Sequence, residues 1–278
     1  MNERVKGRVA IVSGSGRGIG RDIALRLAAE GAAVVVNDLD EAPARLVVEE
    51  IRTAGGRATA CAGDVTEADF AERFVGTAVS EFGDVDIVVN NAGYTWDNVI
   101  QKMGDDQWRA ILDVHLKAPF RILRAAGARF REAAQRDIEA ADRPAHVRKV
   151  VNISSVAGIY GNAGQANYAS AKAGVVGLTR ALAKEWGRYG VTVNCVAFGL
   201  ISTRLTQTLG EEDAQIEVQG RSIAVGLKAS TLEAFEQRIP LGRAGTSREA
   251  ANGVFMLCAP ESDYITGQLL EVGGGLVI

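Results

Sequence analysis

Short apolar segments alternate with longer amphipathic segments along most of this chain. A continuous apolar run of four to seven residues is typical of a parallel strand that is covered on both faces. Two further segments, Arg57–Ala62 and Gln268–Val272, are weaker strand candidates. The predicted strands with a strongly apolar pattern are Val9–Ser13, Ala33–Asn37, Val85–Val89, Val150–Ile153 and Val191–Ala197.

Helical patterns fill the intervals between these strands. Strands that alternate with helices imply βαβ units, right-handed crossovers and a parallel sheet. The polar segment 133–148 is interpreted as a helix extension and a surface loop rather than a domain linker, and the Arg-rich stretch from Arg121 to Arg148 is expected to be solvated. We therefore predict one α/β domain over residues 1–278. The predicted helices follow Gly20 and cover Ala42–Ala54, Glu67–Phe82, Asp105–Glu132 (kinked at Pro119), a segment after residue 165, and Arg248–Cys258.

Composition adds little that distinguishes the chain from an ordinary globular protein. The chain has 278 residues, of which 47% are hydrophobic and 23% charged, and these are common values. A net charge of −3 gives no electrostatic reason to expect nucleic acid or an anionic membrane as a partner. No segment approaches the roughly 20 apolar residues of a membrane span, and the first apolar run is too short for a signal peptide. We expect a cytoplasmic protein.

The cysteines and histidines do not form a recognisable cluster. The three cysteines are widely spaced, without a Cys-x-x-Cys pair, so reduced and buried thiols fit better than disulfides. With only two histidines in the chain, we predict no metal site. These residues are Cys61, Cys195, Cys258, His115 and His146.

A glycine-rich segment lies between the first strand and the first helix. Its sequence is Gly14-Ser15-Gly16-Arg17-Gly18-Ile19-Gly20. Glycines there let the backbone approach a pyrophosphate, whose charge the helix N-terminus favours. A tight turn without a ligand is the alternative, but the order strand, turn, helix favours a dinucleotide.

Asp38 follows the second strand, 18 residues after Gly20. This is near the spacing at which a carboxylate accepts hydrogen bonds from the adenosine ribose hydroxyls. A carboxylate there repels a 2′-phosphate, so the sequence favours NAD(H). NADP(H) stays open, because the Arg17 guanidinium in the loop can bind that phosphate.

The fourth strand runs into Asn90-Asn91-Ala92-Gly93. Asn91 and Gly93 fit a turn at the carboxyl end of a central strand, which is where ligands bind in open α/β sheets. Taken alone, the same four residues also fit a plain turn.

Tyr168 and Lys172 are four residues apart on one helix, and Ser155 follows the strand before it. The spacing places the tyrosine and the lysine on one face. A nearby ammonium favours the phenolate, so we expect the lysine to lower the pKa of the tyrosine toward neutral pH. The serine hydroxyl can hold a carbonyl oxygen. A surface Tyr/Lys pair is the alternative for so short a pattern.

Residues 203–238 are amphipathic and irregular. They follow the sixth strand, so they are well placed to cover a substrate. We predict a lid there, which would exclude water and determine what binds.

Taken together, these motifs resemble the short-chain dehydrogenase/reductase family over nearly the whole chain. The resemblance rests on the glycine segment, Asp64-Val65, Asn90-Asn91-Ala92-Gly93, and Ser155 with Tyr168-Ala169-Ser170-Ala171-Lys172. It is nearest to the 3-oxoacyl-carrier-protein reductase-like branch and to hydroxyacyl-CoA dehydrogenases. It implies a doubly wound Rossmann fold with a seven-stranded parallel sheet, assembled as a homotetramer.

The resemblance also implies roles for individual residues. Ser155 would hold the substrate oxygen, Tyr168 would be the general acid/base, and Lys172 would lower its pKa and bind the nicotinamide ribose. The cofactor would be held by Gly14, Arg17, Gly18, Ile19 and Gly20 along the phosphates and nicotinamide, Asp38 at the adenosine ribose, Asp64 and Val65 at the adenine, Asn91 and Gly93 beside the linking ribose, and Thr203 at the carboxamide.

Two positions depart from the family pattern. His115 stands where the family usually has an asparagine that holds a water in the proton relay to the lysine. We expect an altered relay there, and a buried histidine bonded to a neighbouring carbonyl is the alternative. Phe198 replaces a proline after the sixth strand; this frees the lid hinge, and the ring is expected to reach the nicotinamide or substrate pocket.

The sequence thus predicts an NAD(H)-dependent oxidoreductase that interconverts a secondary alcohol and a ketone. A 3-oxoacyl thioester is one candidate substrate, while steroids, sugars and cyclic alcohols stay open because fold does not fix the substrate. An NAD(H) sensor without turnover and a purely structural subunit are the alternative functions. The complete Ser155, Tyr168 and Lys172 set argues against the sensor, and the complete glycine loop together with Asp38 argues against the structural subunit.

Overall fold

The computed structural model describes residues 3–141, 146–203, 215–218, 221–224, 226 and 229–276. Most of its strands form one parallel sheet with helices on both faces. The strands are β1 (Val9–Val12), β2 (Ala33–Val36), β3 (Arg57–Ala60), β4 (Ile87–Asn90), β5 (Arg148–Ser155), β6 (Val191–Phe198), β7 (Ile201–Ser202), β8 (Gln215–Val218), β9 (Arg221–Ala224), β10 (Gly245–Thr246) and β11 (Leu269–Val272).

The helices alternate with these strands as the pattern predicts. They are α1 (Gly18–Ala29), α2 (Glu41–Thr53), α3 (Phe70–Phe82), α4 (Asp105–Leu112), a π-helical turn (Asp113–Lys117), α5 (Ala118–Ala141), α6 (Ala157–Tyr160), α7 (Ala166–Trp186), α8 (Ala229–Glu236) and α9 (Ser247–Cys258), with short 3₁₀ turns at Ile100–Lys102, Gly187–Tyr189 and Pro260–Ser262.

The large sheet has seven strands in the order β11-β6-β5-β4-β1-β2-β3, and every pair in it is parallel. The chain order runs outward in one direction from β1 through β2 to β3, and then in the other direction from β4. This is the doubly wound arrangement, whose ligand crevice lies at the carboxyl ends of the strands where the order reverses. The predicted fold is confirmed.

Two apolar cores lie on opposite faces of the sheet. On one face the core includes Ile23 of α1 and Val254 of α9. On the other it includes Phe74 of α3, Ile122 of α5 and Ala183 of α7. The continuous apolar strands follow from this sandwich, because each strand residue faces a helix layer on one side or the other.

Two predictions about the elements need correction. The predicted helix from Asp105 to Glu132 is divided by the π turn at Asp113–Lys117, whereas the predicted helix extension after Glu132 is confirmed as far as Ala141. Pro119 is the second residue of α5, directly after the π turn, and the kink there stays a prediction. Arg148 is not solvated: it starts β5, its side chain is 3% exposed, and it lies near the carboxylates of Asp84 and Asp86.

The predicted lid falls partly on residues that the structure does not describe. Within residues 203–238, the described segments form the antiparallel pair β8–β9 and helix α8. Residues 204–214, 219–220, 225 and 227–228 lie outside the described residues. The lid stays a prediction.

Among the described helices, none is both long and apolar enough to cross a membrane. The residues placed by the structure contain no group of three or more His, Cys, Asp or Glu side chains that could hold a metal ion. Cys61, Cys195 and Cys258 are free and buried, as predicted.

Candidate active site

The candidate site lies at the carboxyl ends of β1, β4 and β5. Ser155 is the last residue of β5, and Tyr168 lies in the first turn of α7, with Lys172 one turn later. The serine and the tyrosine approach each other across the turn, and a hydrogen bond from the Ser155 hydroxyl favours the charged form of the phenol. The structure therefore brings together the three residues that the sequence singled out.

Lys172 is buried and anchored to the strand that carries Ser155. Its Nζ donates to the Ile153 carbonyl at 2.7 Å, while Ser154 Oγ donates to the Lys172 carbonyl at 2.8 Å. The ammonium lies 5.6 Å from the centre of the Tyr168 ring. Burial disfavours the charged ammonium and lowers the pKa of Lys172 to about 8, so this lysine titrates close to neutral pH.

The pKa of Tyr168 moves in the direction opposite to our expectation. Desolvation of the hydroxyl raises its pKa to about 12, the Ser155 hydrogen bond lowers it only in part, and the charge of Asp97 raises it further. The sequence argument credited Lys172 with the dominant effect. In the structure the ammonium is directed at the Ile153 carbonyl, and loss of hydration outweighs its attraction for a phenolate.

The glycine segment forms a close-packed cradle at the start of α1. Gly14 has φ +62°, and a Cβ there would lie 2.7 Å from the Ala92 backbone; a Cβ on Gly20 would lie 2.1 Å from the Gly14 carbonyl oxygen. Helix α1 begins at Gly18 without a side-chain cap and without an acidic residue in its first turn. Its free N–H groups and positive dipole end fit a diphosphate.

Polar side chains on neighbouring strands fix this loop. Asn91 Nδ2 donates to the carbonyls of Ser13 and Gly14, at 3.0 and 2.9 Å. Asn37 Oδ1 accepts from the Gly14 N–H at 3.0 Å. Asn91 thus has a direct contact with the glycine loop. The sequence analysis did not predict Asn37 as a residue of the site. Like Asn91, it is a polar residue that follows an apolar strand, so the same signal was present.

Asp38 faces the glycine loop at its outer end. Its Oδ2 is 2.5 Å from the position of a Cβ on Gly16, so any larger residue there would displace the carboxylate. Arg17, the residue that left NADP(H) open, forms a salt bridge of 3.1 Å with Asp40. Two carboxylates therefore lie at this end of the crevice. Asp38 faces the glycine loop, and Asp40 pairs with Arg17, the arginine of that loop.

The remaining predicted cofactor residues take up varied positions. Asp64 Oδ1 accepts from the backbone N–H and the hydroxyl of Thr66, each at 2.8 Å, which holds the carboxylate in its own turn. Val65 is buried, Ile19 packs at the edge of one core, and Thr203 directly follows β7. The roles of these four residues at the cofactor stay predictions.

His115 lies in the π turn and is buried. Its Nε2 lies 2.7 Å from the Tyr94 carbonyl, which is the bonding that we gave as the alternative to a relay. Its ring also meets the Tyr168 ring, with centroids 5.0 Å apart and planes at 87°. Gly93 makes room for it, because a Cβ there would lie 2.1 Å from the imidazole. The histidine therefore belongs to the site by contact.

Asp97 is a residue that the sequence analysis missed. Gln165 Nε2, one residue before α7, donates to Asp97 Oδ2 at 2.7 Å, and Asn98 N donates to the Gly164 carbonyl at 2.9 Å. These bonds hold the carboxylate at the start of the helix that carries Tyr168. It lies in a loop without periodicity, so the sequence offered no signal.

Phe198, whose ring we expected to reach the nicotinamide or substrate pocket, is buried in the core. The side chain is 7% exposed and packs in the core that includes Val196 and Ile201. As the last residue of a strand buried on both faces, it contributes its ring to packing, and its carbonyl accepts from Val156 N at 3.0 Å.

Comparison with known proteins gives a consistent result. The sequence model of the short chain dehydrogenase family matches residues 8–214. The chain is 42% identical over 267 residues to the short-chain reductase protein NovJ of Streptomyces niveus, covering 96% of this chain and 93% of that one. It is 37% identical over 272 residues to 3-oxoacyl-[acyl-carrier-protein] reductase FabG of Vibrio cholerae, covering 98% of each.

A solved structure is similar over the same extent. The gluconate 5-dehydrogenase of Burkholderia cenocepacia, in complex with NADP and tartrate, superposes with a TM-score of 0.83 and 30% sequence identity. The match covers 99% of this chain and 97% of that protein. The similarity therefore includes both the glycine loop and the segment that carries Ser155, Tyr168 and Lys172.

Proposed function

The chain belongs to the short-chain dehydrogenase family, and from that premise we propose that it interconverts a 3-oxoacyl thioester and its hydroxyacyl form with NAD(H). Its relatives and its fold make it a nicotinamide-dependent oxidoreductase of ketones and alcohols. The proposal rests on one observation above all: Ser155, Tyr168 and Lys172 lie together beside a glycine loop that fits a diphosphate.

The three residues have complementary tasks in this proposal. Ser155 donates a hydrogen bond to the substrate carbonyl oxygen. Tyr168, with a pKa of about 12, carries its proton at neutral pH and gives it to the same oxygen as alkoxide character develops. Lys172, with a pKa of about 8, holds a proton at pH 7 and can restore the one that the phenol loses. A bound nicotinamide supplies or accepts the hydride.

The cofactor would be held by residues on both sides of the crevice. The backbone N–H groups at Gly18, Ile19 and Gly20 would bind the diphosphate, as the uncapped start of α1 supports. Asn91 and Gly93 would lie along the linking ribose and Lys172 at the nicotinamide ribose. The remaining contacts that we propose are those of Gly14, Arg17, Asp64, Val65, Tyr168 and Thr203.

We propose NAD(H) rather than NADP(H) as the preferred cofactor. The Asp38 carboxylate lies at the loop and would accept hydrogen bonds from the adenosine ribose but repel a 2′-phosphate. Arg17 is engaged by Asp40, which reduces its availability for that phosphate. The similar gluconate 5-dehydrogenase binds NADP, so the choice must be measured with both cofactors.

Charge near Tyr168 supports a neutral substrate. The negative charge of Asp97 acts on the Tyr168 hydroxyl, and it would repel an anionic group placed beside the reacting carbonyl. A 3-oxoacyl thioester, as named for the Vibrio cholerae relative, is uncharged at that point. A keto sugar acid, suggested by the gluconate 5-dehydrogenase, carries a carboxylate.

The test is a cofactor and substrate panel. NADH and NADPH oxidation would each be followed with an acetoacetyl thioester, a cyclic ketone and a keto sugar acid. We expect turnover of the thioester with NADH. Turnover of other ketones alone would keep the reaction type and reject the acyl substrate, and preference for NADPH would reject our interpretation of Asp38.

Three further expectations belong to the same proposal. These are a homotetramer, a substrate lid at about 203–238, and a cytoplasmic location. Mass measurement in solution tests the assembly, and protection of the lid from proteolysis by cofactor and substrate tests the lid. The non-catalytic sensor is not favoured by any contact in the site or by any of the relatives, and turnover would exclude it.

A further inference from the structure

We propose that His115 is the positioning residue for Tyr168: its imidazole holds the phenol ring by an edge-to-face contact, from the space that Gly93 leaves open. This inference rests on the proposed function, because it gives His115 a task in the same site. The contact is direct, with ring centroids 5.0 Å apart and an interplanar angle of 87°. Perpendicular rings at this separation attract each other through their quadrupoles.

The Tyr94 carbonyl fixes the orientation of the imidazole. A carbonyl can only accept, so the 2.7 Å contact with Nε2 places the ring proton on Nε2. Nδ1 then carries the lone pair, and this atom is buried without a hydrogen-bond partner among the described residues. The Nε2–H tautomer therefore follows from the geometry.

The surroundings keep this imidazole neutral. Burial and the positive charge of Lys172 both lower the pKa of His115 well below its usual value. The other charged groups of the same turn, Asp113 and Lys117, pair with each other at 2.9 Å. A neutral ring presents no charge to Tyr168, so His115 acts through contact and not through proton transfer.

Gly93 is the complement that makes this arrangement possible. A Cβ at residue 93 would lie 2.1, 2.7 and 3.1 Å from Cε1, Nδ1 and Nε2 of the imidazole. The ring therefore lies against the backbone of the loop that follows β4 on one side and against Tyr168 on the other. A ring clamped on both sides restricts the phenol to one position relative to Ser155.

Two substitutions separate the ring from its hydrogen bond. His115→Phe keeps an aromatic ring beside Tyr168 and loses the donor to Tyr94. His115→Gln keeps an N–H near the position of Nε2 and loses the ring. If the ring positions Tyr168, we expect kcat to fall about tenfold or more in the glutamine variant, because small misplacements of a reacting group are costly. In the phenylalanine variant kcat should stay within about threefold of the wild-type value.

The control is His146→Gln, at the opposite end of the sheet beside Asp86, which we expect to leave kcat unchanged. KM for the cofactor should change less than about twofold in both His115 variants, because the histidine acts on Tyr168. The proposal would be overturned by an equal loss of kcat in both His115 variants, provided that thermal unfolding shows both to be folded. Full activity of the glutamine variant would overturn it as well.

A spectroscopic measurement keeps the inference testable if a variant does not fold. Nitrogen NMR of ¹⁵N-histidine-labelled wild type at pH 7.5 should show Nε2 of His115 protonated and Nδ1 bare. A charged ring, or a proton on Nδ1, would overturn it. This measurement does not need turnover: absence of turnover in the wild type would refute the proposed function, whereas the NMR result tests the geometry of His115 by itself.

Discussion

Lys172 donates a 2.7 Å hydrogen bond from its Nζ to the backbone carbonyl of Ile153. The bond joins helix α7 to strand β5 two residues before Ser155, so the lysine is anchored to the strand that ends at the serine. It also keeps a buried ammonium bonded where water cannot reach it. Burial still lowers its pKa to about 8, which places its titration within the working range of an enzyme.

The pH dependence of ketone reduction should follow from this lysine. Below pH 8 Lys172 holds the proton that replaces the one lost by Tyr168, and above pH 8 it does not. We expect kcat for reduction to be level near pH 7 and to fall toward tenfold per pH unit above about 8. In Lys172→Arg, whose guanidinium keeps its proton, this decline should disappear although the plateau is lower. An alkaline decline that persists in that variant would contradict the assignment.

Tyr168→Phe removes the proposed proton donor and keeps the ring beside His115. We expect turnover to fall at least about 100-fold, the lower range for loss of a general acid, while cofactor binding and thermal unfolding change little. Tyr160→Phe is the matched control: its hydroxyl contacts Glu271 and takes no part in the proposal. Comparable rates for Tyr168→Phe and Tyr160→Phe would reject the catalytic assignment.

Asp38→Ala tests the cofactor preference. Loss of a hydrogen bond to a charged acceptor should lower kcat/KM for NADH about tenfold or more, and the ratio of NADH to NADPH should fall. Asp40→Ala frees the Arg17 guanidinium from its salt bridge, so we expect it to improve use of NADPH with little effect on NADH. The control is Asp105→Ala, which removes an exposed carboxylate on α4. It should change neither kcat/KM for NADH nor the preference for NADH over NADPH.

Much of the fold was predictable because strand and helix periodicity differ so clearly in this chain. The strands β1, β2 and β6 are apolar at nearly every position, and the glycine loop marks the first strand–helix junction. The break in the long helix at Asp113–Lys117 was not predictable, since Val114 and Leu116 continue the apolar spacing through it. The π turn depends on contacts with α7 and with the loop after β4, which are distant in sequence.

The sequence predicts which residues form the candidate site, but it does not predict the pKa of Tyr168 within it. Ser155, Tyr168 and Lys172 follow from a short pattern, yet the pKa of Tyr168 depends on hydration and on Asp97, neither of which a local spacing reveals. Phe198 shows the same limit: an aromatic residue after a strand predicts a site residue and a core residue equally well. Burial decides between them.

Acid stability should reveal the neutral state of His115. The unfolded chain takes up a proton on this side chain below about pH 6.5, while the folded chain, whose His115 pKa is lowered, does not. Stability is therefore lost progressively as the pH falls below about 6.5. Urea unfolding of wild type and His115→Gln at pH 7.5 and 5.5 measures this, and the variant should lose less over the interval. Parallel losses would show that His115 is protonated in the folded chain.

The far end of the sheet should affect stability without affecting turnover. Arg148 is 3% exposed and lies 3.2 Å from Asp84 and 3.8 Å from Asp86. Asp86 is itself buried, and burial raises its pKa. Arg148→Met removes one of several partners of that buried carboxylate, which also contacts His146 and accepts from Val9 N, so it should lower the free energy of unfolding at pH 7 by more than the roughly 1 kcal/mol of an exposed pair. The loss should shrink at acid pH as Asp86 takes up a proton.

The matched control is Arg129→Met on α5, whose ion pair with Glu132 is exposed and should contribute no more than about 1 kcal/mol. Both arginines are remote from the carboxyl ends of the strands, so kcat at 25 °C should be unchanged in both variants. A fall in kcat with Arg148→Met, measured while the protein is fully folded, would show that strain at the amino end of β5 reaches Ser155 at its carboxyl end. An unchanged free energy of unfolding would instead show that the other partners of Asp86, His146 and the Val9 N–H, suffice for this carboxylate, and that Arg148 stabilises only the more exposed Asp84 and Asp137.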